Sequence, residues 1–308
     1  MSADPKHPAP SEPVADTPPA EPAAPPPLHR FTAATSPWEW RATMKADSAP
    51  CCCNICWWSG DSFVGPPHSE SAHCPGCGSI ARDRFLFYCF VHSLSAHSYR
   101  VLETSPRLGD DYRQAMRRWF DYRASDWDQR AHRAELQLDL QAMDLETESL
   151  DIILTPHVLE HVPRPDDALA EIHRVLVPGG TMYLQVPVEQ GWTTPPAVPE
   201  FHGDHTPVFW HHGLDLTERL RRHGFRTRLL CNMGFYRQVE VGASHWPDPT
   251  APAIDVPSIL EACRLEDLVP VADEATTRRL GLHPGYMFLT WEGVKASRDL
   301  PRGATRGA

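Results

Sequence analysis

Lysine is almost missing from this chain. It occurs only as Lys6, Lys45 and Lys295, so arginine carries nearly all of the positive charge. Basic side chains are also outnumbered, 29 Lys+Arg against 40 Asp+Glu, for a formal charge of −11. Such a balance gives no whole-surface attraction for a polyanion, which argues against nucleic acid as the partner but leaves room for a local basic patch. Long apolar runs are missing too. No stretch reaches the ~18 residues that a membrane-spanning helix needs, so no membrane association is expected. The opening MSADPKHPAP lacks the apolar segment of a secretory signal, which makes a cytoplasmic location the expectation. In a reducing compartment the nine cysteines are expected to bind metal or stay reduced rather than form disulfides.

Residues 1–48 are dominated by Pro, Ala, Ser, Glu and Asp. A segment of that kind cannot bury enough apolar area to offset its ordering entropy, so it is expected to be a disordered Pro/Ala-rich tail. Trp38 and Trp40 are its exceptions, placed to dock on the folded part or on a protein partner. A second flexible tail is expected over 294–308.

Between these tails, residues 49–97 hold most of the cysteines followed by a helical pattern, RDRFLFYCFVHSL. Cys53-x2-Cys56 and Cys74-x2-Cys77 have the spacing of a four-cysteine zinc ribbon. Each pair lets two thiolates converge on one metal, and two such knuckles complete a tetrahedron with no open position, the arrangement of a structural Zn2+. Redox exchange is the alternative for a single CxxC, and two pairs together favour metal. Cys51 and Cys52 stand close enough to substitute as ligands.

Residues 98–293 alternate strand and helix signals. RVLE, DYRASD, LQLDL, LDIILT and TMYLQVP read as strands, and DDYRQAMRRWF, PDDALAEIHRVL and LDLTERLRRHGF as helices. In DDYRQAMRRWF, Tyr112, Met116 and Phe120 share one face. RTRLLCNM and YMFLTWE are two late strands. This rhythm predicts an α/β, Rossmann-like, doubly wound fold with a mostly parallel seven-stranded sheet. Residues 235–284 break it. They are Pro-, Ala- and Asp-rich, too long for a plain connection, and predict an insertion carrying a short helix (SILEACRLEDL).

The strongest local pattern is SLDIILTPHVLEHV followed by ALAEIHRVLVPGGTMYLQVP. These segments resemble the fourth strand, the following helix and the Pro-Gly-Gly turn of the class I S-adenosylmethionine-dependent (SAM-dependent) methyltransferases, in the branch often labelled type 11. The resemblance covers roughly residues 99–232, with a last strand near 286–292. The front end, CNICWWSGDSF with CPGCGSIARDR, is similar to a zinc-ribbon module fused to a sub-branch of these enzymes.

The resemblance implies SAM as cofactor at the carboxyl ends of the first parallel strands. Glu103 matches the acid after the first strand. Ser105 and Arg107 stand where two glycines are usual, and Gly109 stands where the third would be. Glu103, Ser105 and Gly109 are therefore expected to frame the cofactor, although Pro106 removes a donor and stiffens the turn. Asp126 fits the ribose hydroxyls, with Asp128 as competitor, and Asp139 with Leu140 fits the adenine. His157 would face the cofactor from the loop after the fourth strand.

Transfer to an oxygen or nitrogen of a small-molecule or saccharide-like acceptor is the activity implied. His157, His161 and His205 are the candidate bases if the acceptor must lose a proton. His202, His211 and His212 form a cluster that could be a second metal site, a substrate rim or a solvated loop. The acceptor pocket is expected from residues 188–212 and the 235–284 insertion. Trp192, Trp210 and Trp246 serve there either as walls or as core. A non-catalytic protein of the same fold is the alternative, with the ribbon and the tail as protein-binding surfaces. A nucleic-acid methyltransferase that reads through its ribbon is the third reading, and the charge balance counts against it.

Overall fold

The computed structural model describes residues 50–65, 70–94, 98–203, 205–245 and 253–296. The expected tails, with Trp38 and Trp40, and the expected role of Trp246 fall outside these residues, apart from the start of the C-terminal stretch.

The chain opens on a small two-stranded hairpin, β1 (Cys51–Cys52) paired antiparallel with β2 (Ser59–Gly60). Helix α1 (Ala81–Ser93) follows. The main sheet is then built from β3 (Arg100–Thr104), β4 (Asp121–Asp126), β5 (Leu136–Gln137), β6 (Leu150–Pro156), β7 (Leu176–Gln185), β10 (Phe225–Asn232), β11 (Leu268–Ala272) and β12 (Leu289–Lys295). A separate hairpin, β8 (Glu200–Phe201) with β9 (Pro207–Val208), projects from the connection after β7. The helices are α2 (Asp110–Trp119), α3 (Gln129–His132), α4 (Pro165–Val175), α5 (Leu216–Arg222), α6 (Met233–Glu240), α7 (Val256–Ala262) and α8 (Glu274–Arg279).

Across the sheet the order is β11-β10-β12-β7-β6-β3-β4-β5. The pairs among β7, β6, β3, β4 and β5 are parallel, and β12 runs antiparallel to both β7 and β10. The strand order reverses between β3 and β6, which places a topological switch point at their carboxyl ends.

The described sheet has eight strands, not the seven expected from the sequence. The addition is β11, which lies within the 235–284 insertion and pairs parallel with β10. Its sequence, LVPVA, carries Pro270, which reads as a strand breaker. An edge position tolerates it, because an edge strand does not need every donor for the ladder. The short helix expected in the insertion is α7, which is capped by Asp255 accepting from Ser258 N–H and starts with proline in its first turn.

Apolar side chains divide between the two faces of the sheet. Leu169, Ile172, Leu220, Phe235, Ile259 and Trp291 belong to one buried cluster. The other joins Phe85, Phe87 and Phe90 of α1, Tyr112 and Met116 of α2, and Ile152 and Tyr183 of the sheet to Cys53, Cys56 and Cys74. Burial of each large side chain contributes about 1.5–3 kcal/mol, so α1 and the cysteine module share one core with the sheet.

Arg84 holds that junction. Its side chain is fully buried, with Nε donating to Leu280 O at 2.7 Å, Nη1 to Ser79 O at 2.5 Å and Nη2 to Ala72 O at 2.9 Å. The guanidinium also lies 3.8 Å over the Phe63 ring. Phe63 in turn occupies the space beside Gly281, whose φ of +66° suits glycine and where a Cβ would come within 2.0 Å of the ring. Replacing Arg84 by Met would leave three buried carbonyls without their donor. Arg84→Met is expected to cost on the order of 3 kcal/mol in urea unfolding of the zinc-loaded protein. An unchanged midpoint would remove Arg84 from this role.

Candidate functional site

The cysteine module folds as two knuckles. In the first, Trp57 N–H donates to Cys53 O and Cys53 N–H to Trp58 O. In the second, Gly78 N–H donates to Cys74 O and Cys74 N–H to Ser79 O. The turns bring the Sγ atoms of Cys53, Cys56, Cys74 and Cys77 within 4.8 Å of one another. Cys53 and Cys77 are 3.7 Å apart and Cys56 and Cys74 3.5 Å apart. A tetrahedron with metal–sulfur bonds of about 2.3 Å has edges of about 3.8 Å, so the donor set fits zinc. Gly76 belongs to the cradle: a Cβ there would lie 3.0 Å from Cys56 Sγ, and its N–H donates to Cys74 Sγ. Cys51 bonds to Asp61 O and Arg278 O instead, outside the group of four. Burial works against ionising Cys53, but the neighbouring thiols outweigh it and hold this thiol well below its ordinary value.

The loop after β3 makes a left-handed turn without a glycine at that position. Ser105 takes φ +49°, a left-handed conformation, and its N–H donates to Ser125 O at 2.7 Å. The loop is clamped by Arg113 of α2, a residue with no signal in the sequence. Its buried guanidinium donates to Pro106 O, Leu108 O, His132 O and Arg133 O. Fixed charge and four carbonyl bonds replace the conformational freedom that glycine would supply.

Glu103 at the end of β3 is 4% exposed and accepts a 2.7 Å hydrogen bond from Tyr122. Burial pushes its carboxyl up to about 7 against the opposing hydrogen bonds from Tyr122 and Tyr112. Beside it is a space of 20 Å³ walled by Leu86, Phe87, Arg107, Leu108, Tyr112 and Pro156 among others. That is water-sized, whereas ligand pockets begin near ~300 Å³.

Asp126 ends β4. Its Oδ1 accepts from Asp128 N–H at 3.0 Å and its Oδ2 lies 2.7 Å from His132 Nδ1, which is also 3.3 Å from Ser105 Oγ. Burial works to raise its pKa, but the bonds from His132 and Asp128 outweigh it and hold the carboxyl below the usual range. His132 therefore joins Ser105 to Asp126, a link the sequence reading missed. Gly109 is the N-cap of α2. Asp139, after β5, accepts from Gln141 N–H at 2.9 Å and closes a local turn, while Leu140 is buried in the core. A carboxylate has about four acceptor sites, so Asp126 and Asp139 each keep capacity for a ligand. These acceptors suit a nucleoside whose hydroxyls and amine donate, but the 20 Å³ beside Glu103 requires Arg107 and Leu108 to give way to a larger group.

His157 follows β6 in a left-handed turn, φ +51°. It lines a cavity of 280 Å³ with Glu70, Arg82, Gln185, Tyr286 and Phe288. Pro156 and His157, adjacent in the chain, are walls of the small space and the large cavity respectively. Arg82 Nη1 lies 3.3 Å from His157 Nδ1. Arginine only donates, so Nδ1 accepts and the ring proton is assigned to Nε2. Glu160, 2% exposed, stands 3.6 Å from the same Nδ1, too far for a hydrogen bond, and 3.8 Å from His161 Nε2. Its oxygens accept no hydrogen bond among the described residues.

The other two histidine candidates are not brought to the cavity. His161 Nδ1 bonds to Pro207 O at 2.7 Å and its ring stands edge-on to His202. His205 is exposed in the β8–β9 hairpin. His211 pairs with Glu200 at 2.8 Å and His212 is buried. Among the described residues these histidines form no metal-binding group. Trp192 is 58% exposed and Trp210 bonds to Pro163 O, so neither is among the residues lining the cavity. Its walls come from the first residues after β7, the 253–254 and 286–289 segments and the cysteine module's flank. No helix among the described residues is long and apolar enough to cross a membrane.

Residues 108–184, from the end of the clamped loop through β7, match a family model described as a methyltransferase domain. No match was found among curated proteins. Among solved structures, the chain is similar to 1,6-didemethyltoxoflavin-N1-methyltransferase of Burkholderia thailandensis bound to 1,6-didemethyltoxoflavin and S-adenosylhomocysteine. The identity is 14%, over 70% of this chain and 79% of that one, with a TM-score of 0.43. It is also similar to an S-adenosylmethionine-dependent methyltransferase of Mesorhizobium loti, at 15% identity over 68% and 97% of the two chains and a TM-score of 0.39. A third likeness is to a complex containing the Haloferax volcanii Trm112 methyltransferase activator, at 15% identity over 65% and 83% and a TM-score of 0.35.

Two outcomes follow from this geometry. The purified protein is expected to carry about one zinc ion per chain, and Cys56→Ser or Cys74→Ser to release it with loss of the ribbon, because structural zinc contributes on the order of 10 kcal/mol. Elemental analysis with thermal unfolding decides this. Glu103 gives the second. Its folded value of about 7 lies above the ordinary 4.5, so its contribution to stability is full below about pH 4.5 and is lost as pH rises through about 7. Glu103→Gln is expected to match the parent near pH 5 and to gain stability over it toward pH 8 in denaturant titrations. A constant difference would show that Glu103 titrates normally.

Proposed function

We propose that this protein transfers a methyl group from SAM to an oxygen or nitrogen of a small acceptor seated in the 280 Å³ cavity. One observation carries the reading. The cavity and the Glu103–Asp126 strand ends lie on either side of the β3/β6 switch point, and Asp126 and His157, one from each side, fall within the segment matching a methyltransferase domain. When bound, SAM supplies a methyl group already activated on a sulfonium. The chain's own residues then have to bind, orient and exclude water. Asp126 takes the ribose hydroxyls with the acceptor capacity that His132 and Asp128 leave free. Asp139 and Leu140 meet the adenine. Ser105 and Gly109 shape the loop over the methionine part, with Glu103 as its buried support.

His157 is the one of the three histidine candidates that lines the cavity. With Nδ1 accepting from Arg82, it orients an acceptor through Nε2–H. Taking a proton at Nδ1 requires Arg82 to release that nitrogen. The zinc is structural in this reading, and the ribbon or the tail is the surface for any protein partner.

A second reading has specific support. Arg107 and Leu108 leave only 20 Å³ beside Glu103, as a protein of this fold that binds no SAM would. Calorimetric titration separates the two. Micromolar binding of SAM and of S-adenosylhomocysteine is expected, weakened on the order of tenfold or more in Asp126→Ala, because hydrogen bonds to a charged group are worth about 1.5–3 kcal/mol. Absence of binding by folded, zinc-loaded protein would replace methyl transfer with the binding-module reading.

A further inference from the structure

The 280 Å³ cavity has one lining side chain with a permanent positive charge, Arg82 at the start of α1. The surrounding chain is acidic overall. Arg82 is held between two partners by one nitrogen. Nη1 meets Glu70 Oε1 at 3.1 Å and His157 Nδ1 at 3.3 Å. Its side chain is 18% exposed and that of Glu70 40% exposed. Glu70 belongs to the cysteine module, and its carbonyl accepts from Ala81 N–H at 2.9 Å, which fixes the two residues side by side. Tyr286 and Phe288 supply aromatic wall on the same cavity.

We propose that this cavity selects an acceptor bearing a carboxylate, recognised by Arg82, and that Glu70 is the internal carboxylate it displaces. The Glu70–Arg82 contact is itself the precedent, because it shows a carboxylate oxygen seated on this guanidinium at the cavity wall. A guanidinium offers five donors in a planar fork that matches a carboxylate in two places, and only Nη1 is engaged by a side chain among the described residues. Glu70, as the more exposed partner of the pair, is the side free to swing away. One cation with one displaceable carboxylate balances a monoanion and leaves a dianion such as phosphate half compensated. The aromatic wall favours a ring attached to the carboxylate.

The specificity of the cavity is then supplied by the cysteine module together with α1 and not by the segment matching a methyltransferase domain, since Glu70 and Arg82 both precede it. That the occupant is a methyl acceptor rests on the proposed function. The binding of a carboxylate does not.

The test uses full-length, zinc-loaded protein with benzoate, phenyl phosphate and benzamide as probes, titrated by calorimetry with and without S-adenosylhomocysteine. Benzoate is expected to bind at least tenfold more tightly than benzamide and than phenyl phosphate. Arg82→Gln is expected to abolish that preference, and Glu70→Gln to tighten benzoate several-fold, a gain that a merely damaged fold would not give. Equal binding of benzoate and benzamide, or benzoate binding that is unchanged in Arg82→Gln, would overturn the proposal. Tighter phenyl phosphate would overturn the choice of a carboxylate. Failure of S-adenosylhomocysteine to bind while benzoate binds would count against methyl transfer alone.

Discussion

A single buried guanidinium decides how this molecule is put together. Arg84 spends its donors on carbonyls from the cysteine knuckle, from the segment leading to it and from the segment before β12. None of these is a charged partner, so the cation is solvated by backbone dipoles in place of water. Such a site tolerates no half measures, because a missing carbonyl leaves charge uncompensated and a missing guanidinium leaves carbonyls unpaired. The ribbon, α1 and the chain around Leu280 must therefore assemble together. The cavity inherits this, since Glu70, Arg82 and residues 286–289 are positioned by the same junction.

The β3 loop shows how a missing residue type can be replaced by a different physical device. Glycine lowers the cost of a left-handed turn. Here Ser105 takes that conformation with its own backbone penalty, and the Arg113 clamp holds the segment on four carbonyls. Pro106, which cannot donate, is used only as an acceptor. Strain in one residue is offset by hydrogen bonds from a neighbour eight positions on.

Much of this was legible in the sequence. The CxxC pairs specified the thiolate cluster, and the alternation of apolar strands with amphipathic helices specified a mostly parallel sheet flanked by helices. Tyr112 and Met116 were readable as one buried face of α2. Asp126 and His157 were readable at the ends of their strands, and Glu103 by its place in the resemblance. What was not legible was made of long-range contacts. Arg113 and His132 sit in ordinary polar stretches, and nothing local says that they will reach Pro106 or Asp126. The eighth strand was hidden because LVPVA contains a proline, and what covers it, α6 and α8, is brought there by long-range packing. The cavity walls were legible in part. Val188, Gln190, Ala253 and Ile254 come from the two segments expected to build a pocket, whereas Trp192 stays outside and Tyr286 and Phe288, which looked like strand, lie just before it.

The two ends of the main sheet carry a further meaning. At one edge β5 is two residues long, and at the other β11 is five residues with Pro270 at its centre. An open edge of hydrogen-bonding groups is a template on which another chain can add a strand, and each edge here is too short or too interrupted to serve as one. The insertion that first reads as an interruption of the fold thereby gives a broad apolar sheet protection against sticking to its own copies.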